Sequence, residues 1–163
     1  MKNTTEQDIP IPERSQWMRL LSALDTEKLM SQVDAVSKGW QISPKALPQS
    51  GLGMLKLQDS ACNEPFFLGE IPLCTAWLEI LTPDGRKTEG AAQIMNDNID
   101  LVQALAVCDT ILANQLPGYE RIVDLLDQGN KICNQEKQRR KMMLAKTRVD
   151  FSLLDDVGDD DEN

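Results

Sequence analysis

The densest group of residues that could bind a charged partner is a basic segment near the C-terminal end of this 163-residue chain. Between Lys131 and Arg148 there are seven lysines and arginines against one acid, Glu136, a local net charge of +6. Such a segment suits a phosphate, a nucleotide, a nucleic acid or an acidic protein surface. A solvated helix end is often basic too, because cations interact favourably with the C-terminal dipole. The charge pattern therefore leaves both interpretations open.

Few residue patterns support catalysis by this chain alone. The chain has no histidine, which excludes Ser-His-Asp and Cys-His triads, imidazole metal ligands and a histidine base. Gly51-Leu52-Gly53 is the only G-x-G, and it lacks the third glycine and the following helix of a dinucleotide-binding fingerprint. No spacing marks two carboxylates as an acid/base pair. We therefore predict that the chain has no self-sufficient active site and binds no cofactor or metal by itself.

The cysteines and the apolar segments indicate the compartment. The four cysteines form no C-x-x-C pair, which argues against a zinc site or a redox motif and favours reduced thiols. The first eight residues are polar, and no stretch approaches 18 consecutive apolar residues. We expect a cytoplasmic protein that has no membrane span. The cysteines are Cys62, Cys74, Cys108 and Cys133.

The negative charge is concentrated at the C-terminal end. The formal net charge is -9, and six of the acids lie within residues 155–163. Residues 1–154 carry 20 acids and 17 bases, a net charge of only -3. A run of like charges with few apolar residues normally stays solvated. We predict a flexible leader over residues 1–12, one folded domain over 13–154 and an acidic disordered tail over 155–163.

Helical signals at the N-terminal end predict two short helices. From Glu13 the apolar residues recur at i, i+3, i+4 and i+7, which gives one apolar stripe. Asp25 is a candidate N-cap for a second helix that stops near Gly39. Neither helix is long enough to be stable alone, so both must cover another part of the chain. The first stripe consists of Trp17, Leu20, Leu21 and Leu24.

From about Trp40 the chain changes to short apolar runs separated by prolines and glycines, which is typical of strands. The Asp84-Gly85 pair lies between two such runs and predicts a hairpin turn, because both residues tolerate positive φ. The run that precedes this turn, at residues 71–81, has no purely polar face, so we expect it to be central in the sheet. The predicted strands cover residues 51–58, 66–69, 71–81 and 87–95.

Two more helices are predicted after the strands. The first begins near Asp97 and is closed by Leu116-Pro117-Gly118, and the second runs from about residue 119 to 146. Glu136 and Arg140 lie on the apolar stripe of the long helix, four residues apart, which favours either a helical ion pair or contacts to a partner. The fold class is therefore α+β: an N-terminal helical hairpin, a small mostly antiparallel sheet and two C-terminal helices. The stripe consists of Ile122, Leu125, Leu126, Gly129, Ile132, Cys133 and Met143.

Several motifs, in order and at matching spacing, resemble the PhnG family, the small G subunit of the bacterial carbon-phosphorus lyase system. An Arg-x-x-Trp-Met helix is matched at 14–18, a Gly-Leu strand at 51–55 and Phe-x-Leu-Gly-Glu at 66–70. The Asp-Gly hairpin follows at the expected distance, and a terminal Arg-Val-Asp-Phe is matched at 148–151. The resemblance therefore covers nearly the whole chain.

Two positions depart from the family pattern. Where the family strand carries Thr-Arg, this chain has Cys74-Thr75. After the hairpin, the family's Leu-Gly-Arg-Asp is replaced by a segment with Asn96-Asp97, while Gly90 is retained. Both lost side chains are arginines, so this chain resembles a divergent member.

The resemblance implies an accessory role in the use of phosphonates. The family's G subunit is associated with the H, I and L subunits in displacing adenine from ATP by a phosphonate, which gives ribose 1-phosphonate 5-triphosphate. The J subunit then cleaves the carbon-phosphorus bond. The implied partners are the H, I, J and L subunits, with ATP and phosphonate bound through the complex and with no nucleic acid or membrane. The candidate binding or interface residues are Phe67, Gly69, Glu70, Lys137, Arg140, Lys141, Arg148, Asp150 and Phe151.

An alternative function needs no phosphonate chemistry. In that hypothesis the chain is a non-catalytic interaction module that docks an acidic protein or a nucleic acid through its basic C-terminal helix. Affinity for a nucleic acid would fall steeply with salt, because phosphate contacts release counterions. A subunit interface dominated by apolar area would be much less sensitive.

Overall fold

The computed structural model describes residues 11–146, which form four helices and one three-stranded antiparallel sheet of order β1-β2-β3. The predicted α+β class, the N-terminal helical hairpin and the two C-terminal helices are confirmed. The elements are α1 (Arg14–Leu21), α2 (Thr26–Val36), β1 (Gln41–Gln58), β2 (Pro65–Leu81), β3 (Lys87–Ile94), α3 (Ile99–Asn114) and α4 (Tyr119–Lys146).

Helix α3 forms the centre of the core. It packs against β2 and β3 on one side and against the other three helices on the other side. Asn98 caps it, since its side chain accepts a hydrogen bond from the Leu101 N–H at 3.0 Å. Nearly every residue from Leu101 to Leu112 is buried. The sheet therefore has one face covered by α3, and α1, α2 and α4 form a second layer around that helix.

The N-terminal helices form as their sequence predicts. Trp17, Leu20 and Leu21 are buried on one face of α1. The Asp25 side chain accepts a hydrogen bond from the Lys28 N–H at 2.9 Å, which confirms it as the N-cap of α2. Gly39 follows the end of α2 with a φ of +83°. Both helices place their apolar faces against the rest of the core.

The strand boundaries differ from the sequence prediction in two places. β1 begins at residue 41 rather than 51 and continues through Pro44 and Pro48. The prolines are tolerated because β1 is an edge strand whose register shifts around them. The segments predicted as two strands, 66–69 and 71–81, form the single strand β2. Pro72 lies in β2 beyond the end of β3, where only β1 is paired with it.

Helix α4 is buried along only its first half. Ile122, Leu125, Leu126 and Gly129, all on the predicted apolar stripe, are buried. Ile132 and Met143, on the same apolar stripe, have side chains that are 40% and 60% exposed. Beyond Gly129 the helix continues past the layer that it packs against, so its apolar stripe loses its cover there.

No helix within residues 11–146 is by itself long and apolar enough to cross a membrane. Helices α3 and α4 satisfy the length and composition of a span only when they are taken together across a bend of 115°.

Candidate functional site

A cleft of about 830 Å³ opens between α1, the end of β3 and the second half of α4. The two helices that form its walls approach each other closely. A Cβ atom at Gly129 would lie 2.7 Å from the carbonyl carbon of Leu20, so only glycine permits this spacing at the position. The close approach fixes the direction in which α4 leaves the core. The cleft lies where the helices continue beyond that contact.

Four basic side chains line this cationic cleft. We call Arg19, Lys137, Arg140 and Lys141 the cleft cations. One acid, Glu136, is also part of the lining, and its carboxylate lies 3.5 Å from the Arg140 guanidinium. Both members of that pair are largely exposed, so the pair contributes only a few tenths of a kcal/mol to stability, as is typical of i,i+4 pairs.

The rest of the lining is mixed. The thioethers of Met18 and Met95 and the side chain of Ile94 supply an apolar floor. Asn96, at one of the two departures from the family pattern, lies at the β3 end of the cleft. Its Oδ1 atom accepts hydrogen bonds from the N–H groups of residues 97 and 98 at 2.8 and 2.9 Å. A ligand in the cleft would therefore meet Arg19 on α1, the other three cations on α4, and apolar side chains between them.

An ion pair positions α1 beside the cleft. The Arg14 guanidinium donates two hydrogen bonds to the Asp109 carboxylate on α3, at 2.9 and 2.7 Å. The same carboxylate accepts the Ala91 N–H of β3 at 3.2 Å. The hydrogen bonds to Asp109 raise the pKa of Arg14 above its ordinary value. The arginine of the Arg-x-x-Trp-Met motif thus joins α1, α3 and β3.

A second exposed surface is a two-stranded extension of the sheet, which we call the β-arm (residues 51–73). β3 pairs with β2 only from residue 74 onward, so the β-arm consists of β1 and β2 alone. Large apolar side chains are exposed on both of its faces. They are Leu52, Met54, Leu55, Leu57, Phe66, Phe67 and Leu68.

The sheet face opposite α3 is also uncovered. Trp77 lies on this open sheet face and is 46% exposed. Its indole N–H donates to Glu89 at 3.2 Å, and the Lys45 ammonium lies 5.0 Å from the ring centroid, a cation-π distance. Lys45 and Glu89 form an ion pair, which lowers the pKa of Glu89. A hollow of about 450 Å³ beside Trp77 includes Thr75, the other departure from the family pattern.

The structure separates the predicted site residues into two groups. Lys137, Arg140 and Lys141 share the cationic cleft. The other group lies on the β-arm, where all three residues are exposed and none lines the cleft. The sequence reasoning missed Arg19, which lines the cationic cleft, and Trp77, which lies on the open sheet face. Local spacing does not reveal either one, because each position depends on packing between distant parts of the chain. The β-arm group is Phe67, Gly69 and Glu70, while Arg148, Asp150 and Phe151 lie outside the described residues.

The described cysteines are separate thiols rather than a site. Cys74 and Cys108 are buried, Cys133 is half-buried and Cys62 is exposed. Burial raises the pKa of the Cys108 thiol to about 12, helped by the neighbouring Asp109 charge. Among residues 11–146, no three Cys, Asp or Glu side chains are grouped closely enough to hold a metal ion.

The chain is similar to proteins of phosphonate metabolism. A family model described as "Phosphonate metabolism protein PhnG" matches residues 12–155. A protein of Rhizobium meliloti (strain 1021), named alpha-D-ribose 1-methylphosphonate 5-triphosphate synthase subunit PhnG, is 26% identical over 151 residues. That alignment covers 92% of this chain and 93% of the relative. The matched region contains the cationic cleft and the β-arm.

Proposed function

Because this chain belongs to the PhnG family of phosphonate metabolism proteins, we propose that it is an accessory subunit of a ribose 1-methylphosphonate 5-triphosphate synthase and assembles through its β-arm. The partners are the H, I, J and L subunits of the cytoplasmic carbon-phosphorus lyase system. The reaction of the complex consumes ATP and a phosphonate and releases adenine. This chain supplies a binding surface to that complex and holds no cofactor of its own.

The exposed β-arm is the observation that carries this proposal. An isolated two-stranded hairpin is at best marginally stable in water, and it normally needs a third strand or a packed layer. Here the sheet extends past its third strand while keeping large apolar side chains on both faces, including Phe67 at 59% exposure. Soluble monomers rarely expose contiguous apolar patches of this kind. A partner that covers the arm would bury this surface.

The open sheet face continues the exposed apolar surface of the β-arm toward the core of the protein. In the antiparallel register, Leu55, Ile71 and Leu73 share one face of the β-arm with Trp77 further along β2. The ring of Trp77 is held in place by Lys45 and Glu89 before any partner arrives. Aromatic residues that are already oriented lose little side-chain entropy on binding and are frequent hot spots.

Co-expression tests the proposal directly. The chain, tagged at its N-terminus, is produced with the H, I, J and L subunits and isolated on the tag. We expect a stoichiometric complex. Phe67→Ser should reduce recovery of the complex by about tenfold or more, because burial of an interface aromatic is typically worth over 1 kcal/mol. The control is Met142→Ser, which changes an apolar side chain of similar exposure on α4, outside the β-arm, and should leave recovery unchanged.

Two results would refute the proposal. The first is a wild-type chain that is recovered folded and without any of the four subunits. The second is a complex whose recovery is unchanged by Phe67→Ser, which would place the subunit interface elsewhere. Circular dichroism of each variant shows whether a loss of recovery arises from unfolding.

A further inference from the structure

The cationic cleft is a binding site that subunit assembly through the β-arm does not explain. We propose that the cleft cations bind the phosphate groups of a small polyphosphate, such as the triphosphate of a nucleotide or sugar. The choice of ligand rests on the proposed function, since the related subunit is named for a synthase whose product carries a triphosphate. The charges, orientation and size of the cleft support an anion site independently of that choice.

The orientation of the cations distinguishes the cleft from a solvated helix end. On α4 the buried stripe ends at Gly129, and Arg140, 11 residues later, continues that same face. Lys137, Arg140 and Lys141 line the cleft together with residues of α1 and of the end of β3, so this side of the helix faces those elements. Arg139, which does not line the cleft, lies on another face of the helix.

The charges in the cleft are not balanced by the described part of the chain. Among residues 11–146, Arg19, Lys137 and Lys141 take part in none of the ion pairs, and the fourth cation pairs only with Glu136. Four cations facing one acid repel one another unless an anion neutralises them. Because oxygen atoms of several phosphates can accept charge-assisted hydrogen bonds from several cations at once, a polyphosphate satisfies this arrangement better than a single carboxylate.

The size and surroundings favour a small molecule. A volume of about 830 Å³ lies within the range of small-molecule sites. Outside the basic segment 131–148, residues 1–154 carry 19 acids against 10 bases, so a long polyanion that extends beyond this segment would be repelled by net negative charge. The apolar floor of Met18 and Ile94 could also contact a ring attached to the phosphates.

The test is calorimetric titration of the full-length chain with inorganic tripolyphosphate and, separately, with ATP, without divalent cations and at about 0.15 M NaCl, where the Debye length is about 8 Å. We expect one ligand per chain. Lys137→Glu and Lys141→Glu should each weaken binding by about tenfold or more, because each loses a charge-assisted contact and introduces a like charge. Arg139→Glu makes the same charge change on the same helix outside the cleft and should weaken binding by less than about threefold.

Comparison of the two probes identifies the recognised group. Equal affinities for tripolyphosphate and ATP would show recognition of the phosphates alone. Tighter binding of ATP would show additional contacts between its nucleoside and the apolar floor.

This inference would be overturned if neither probe bound, or if Arg139→Glu and Lys137→Glu weakened binding equally. If the chain co-purifies with its partner subunits but binds neither probe, only the cleft assignment fails. If it binds tripolyphosphate but no subunit, only the proposed function fails.

Discussion

At the residue scale, Arg14 shows how a motif residue that looks functional can act on the structure. Its guanidinium reaches Asp109, a residue 95 positions away whose side chain is only 4% exposed. Without the arginine, the nearly buried Asp109 carboxylate would keep one hydrogen bond, which it accepts from the backbone N–H of Ala91. Because an unpaired buried charge is costly, the arginine stabilises the fold without touching the cationic cleft.

We therefore expect Arg14→Met to lower the free energy of unfolding by about 1–3 kcal/mol, less than for a fully buried pair because the arginine is itself exposed. Urea denaturation followed by circular dichroism measures the change. Arg19→Met is the matched control on the same helix, and it should change stability by under about 0.5 kcal/mol. Equal losses for the two variants would contradict the assigned role of Arg14.

The thiols give a second prediction at this scale. Burial raises the pKa of Cys108 to about 12 and also raises the pKa of Cys74, which disfavours the thiolate form of both residues. The thiolate is the reactive form. At pH 8 a thiol reagent should modify Cys62 first, then the half-buried Cys133, and the two buried cysteines only in denaturant. Cys62→Ser should remove the fast phase, and rapid modification of all four thiols in the native protein would contradict the structure.

At the element scale, the sequence predicts what depends on nearby residues. The Asp25 cap and the Asp84-Gly85 turn follow from local patterns, and the structure confirms them. The length of β1 could not be predicted, because its prolines break a local strand pattern and only the edge position in the sheet tolerates them. The exposure of Ile132 likewise depends on where α4 loses its neighbours. The cleft needs Arg19 from α1 beside α4, a long-range contact that no local spacing encodes.

The close contact between α1 and α4 gives a prediction about elements. Gly129→Ala adds a Cβ that overlaps the Leu20 carbonyl, so the helices must separate. We expect a net loss of about 1–2 kcal/mol, since overpacking outweighs the gain in helix propensity. The displacement should also weaken tripolyphosphate binding, because it moves α4 away from Arg19. Gln138→Ala, at an exposed position of the same helix, is the control for stability, and an unchanged or raised stability for Gly129→Ala would show that α1 and α4 can readily shift.

At the scale of the whole molecule, the protein has two exposed surfaces that differ in polarity. The β-arm is apolar and belongs to the two-stranded end of the sheet, whereas the cationic cleft lies at the uncovered half of α4. None of the residues lining the cleft belongs to the β-arm. Subunit assembly and anion binding should therefore respond differently to the same change of solvent.

Salt separates the two surfaces. At about 1 M NaCl the Debye length falls to about 3 Å, so exposed charges are screened while apolar burial is not weakened. We expect the complex with its partner subunits to stay intact on gel filtration between about 0.1 and 1 M NaCl, and tripolyphosphate binding to weaken by at least about a hundredfold over the same range. Arg139→Glu and Lys137→Glu complexes should elute like the wild type, because neither residue is part of the β-arm. Dissociation of the complex at high salt would show instead that charged residues hold the subunits together, and the β-arm would then not be the main interface.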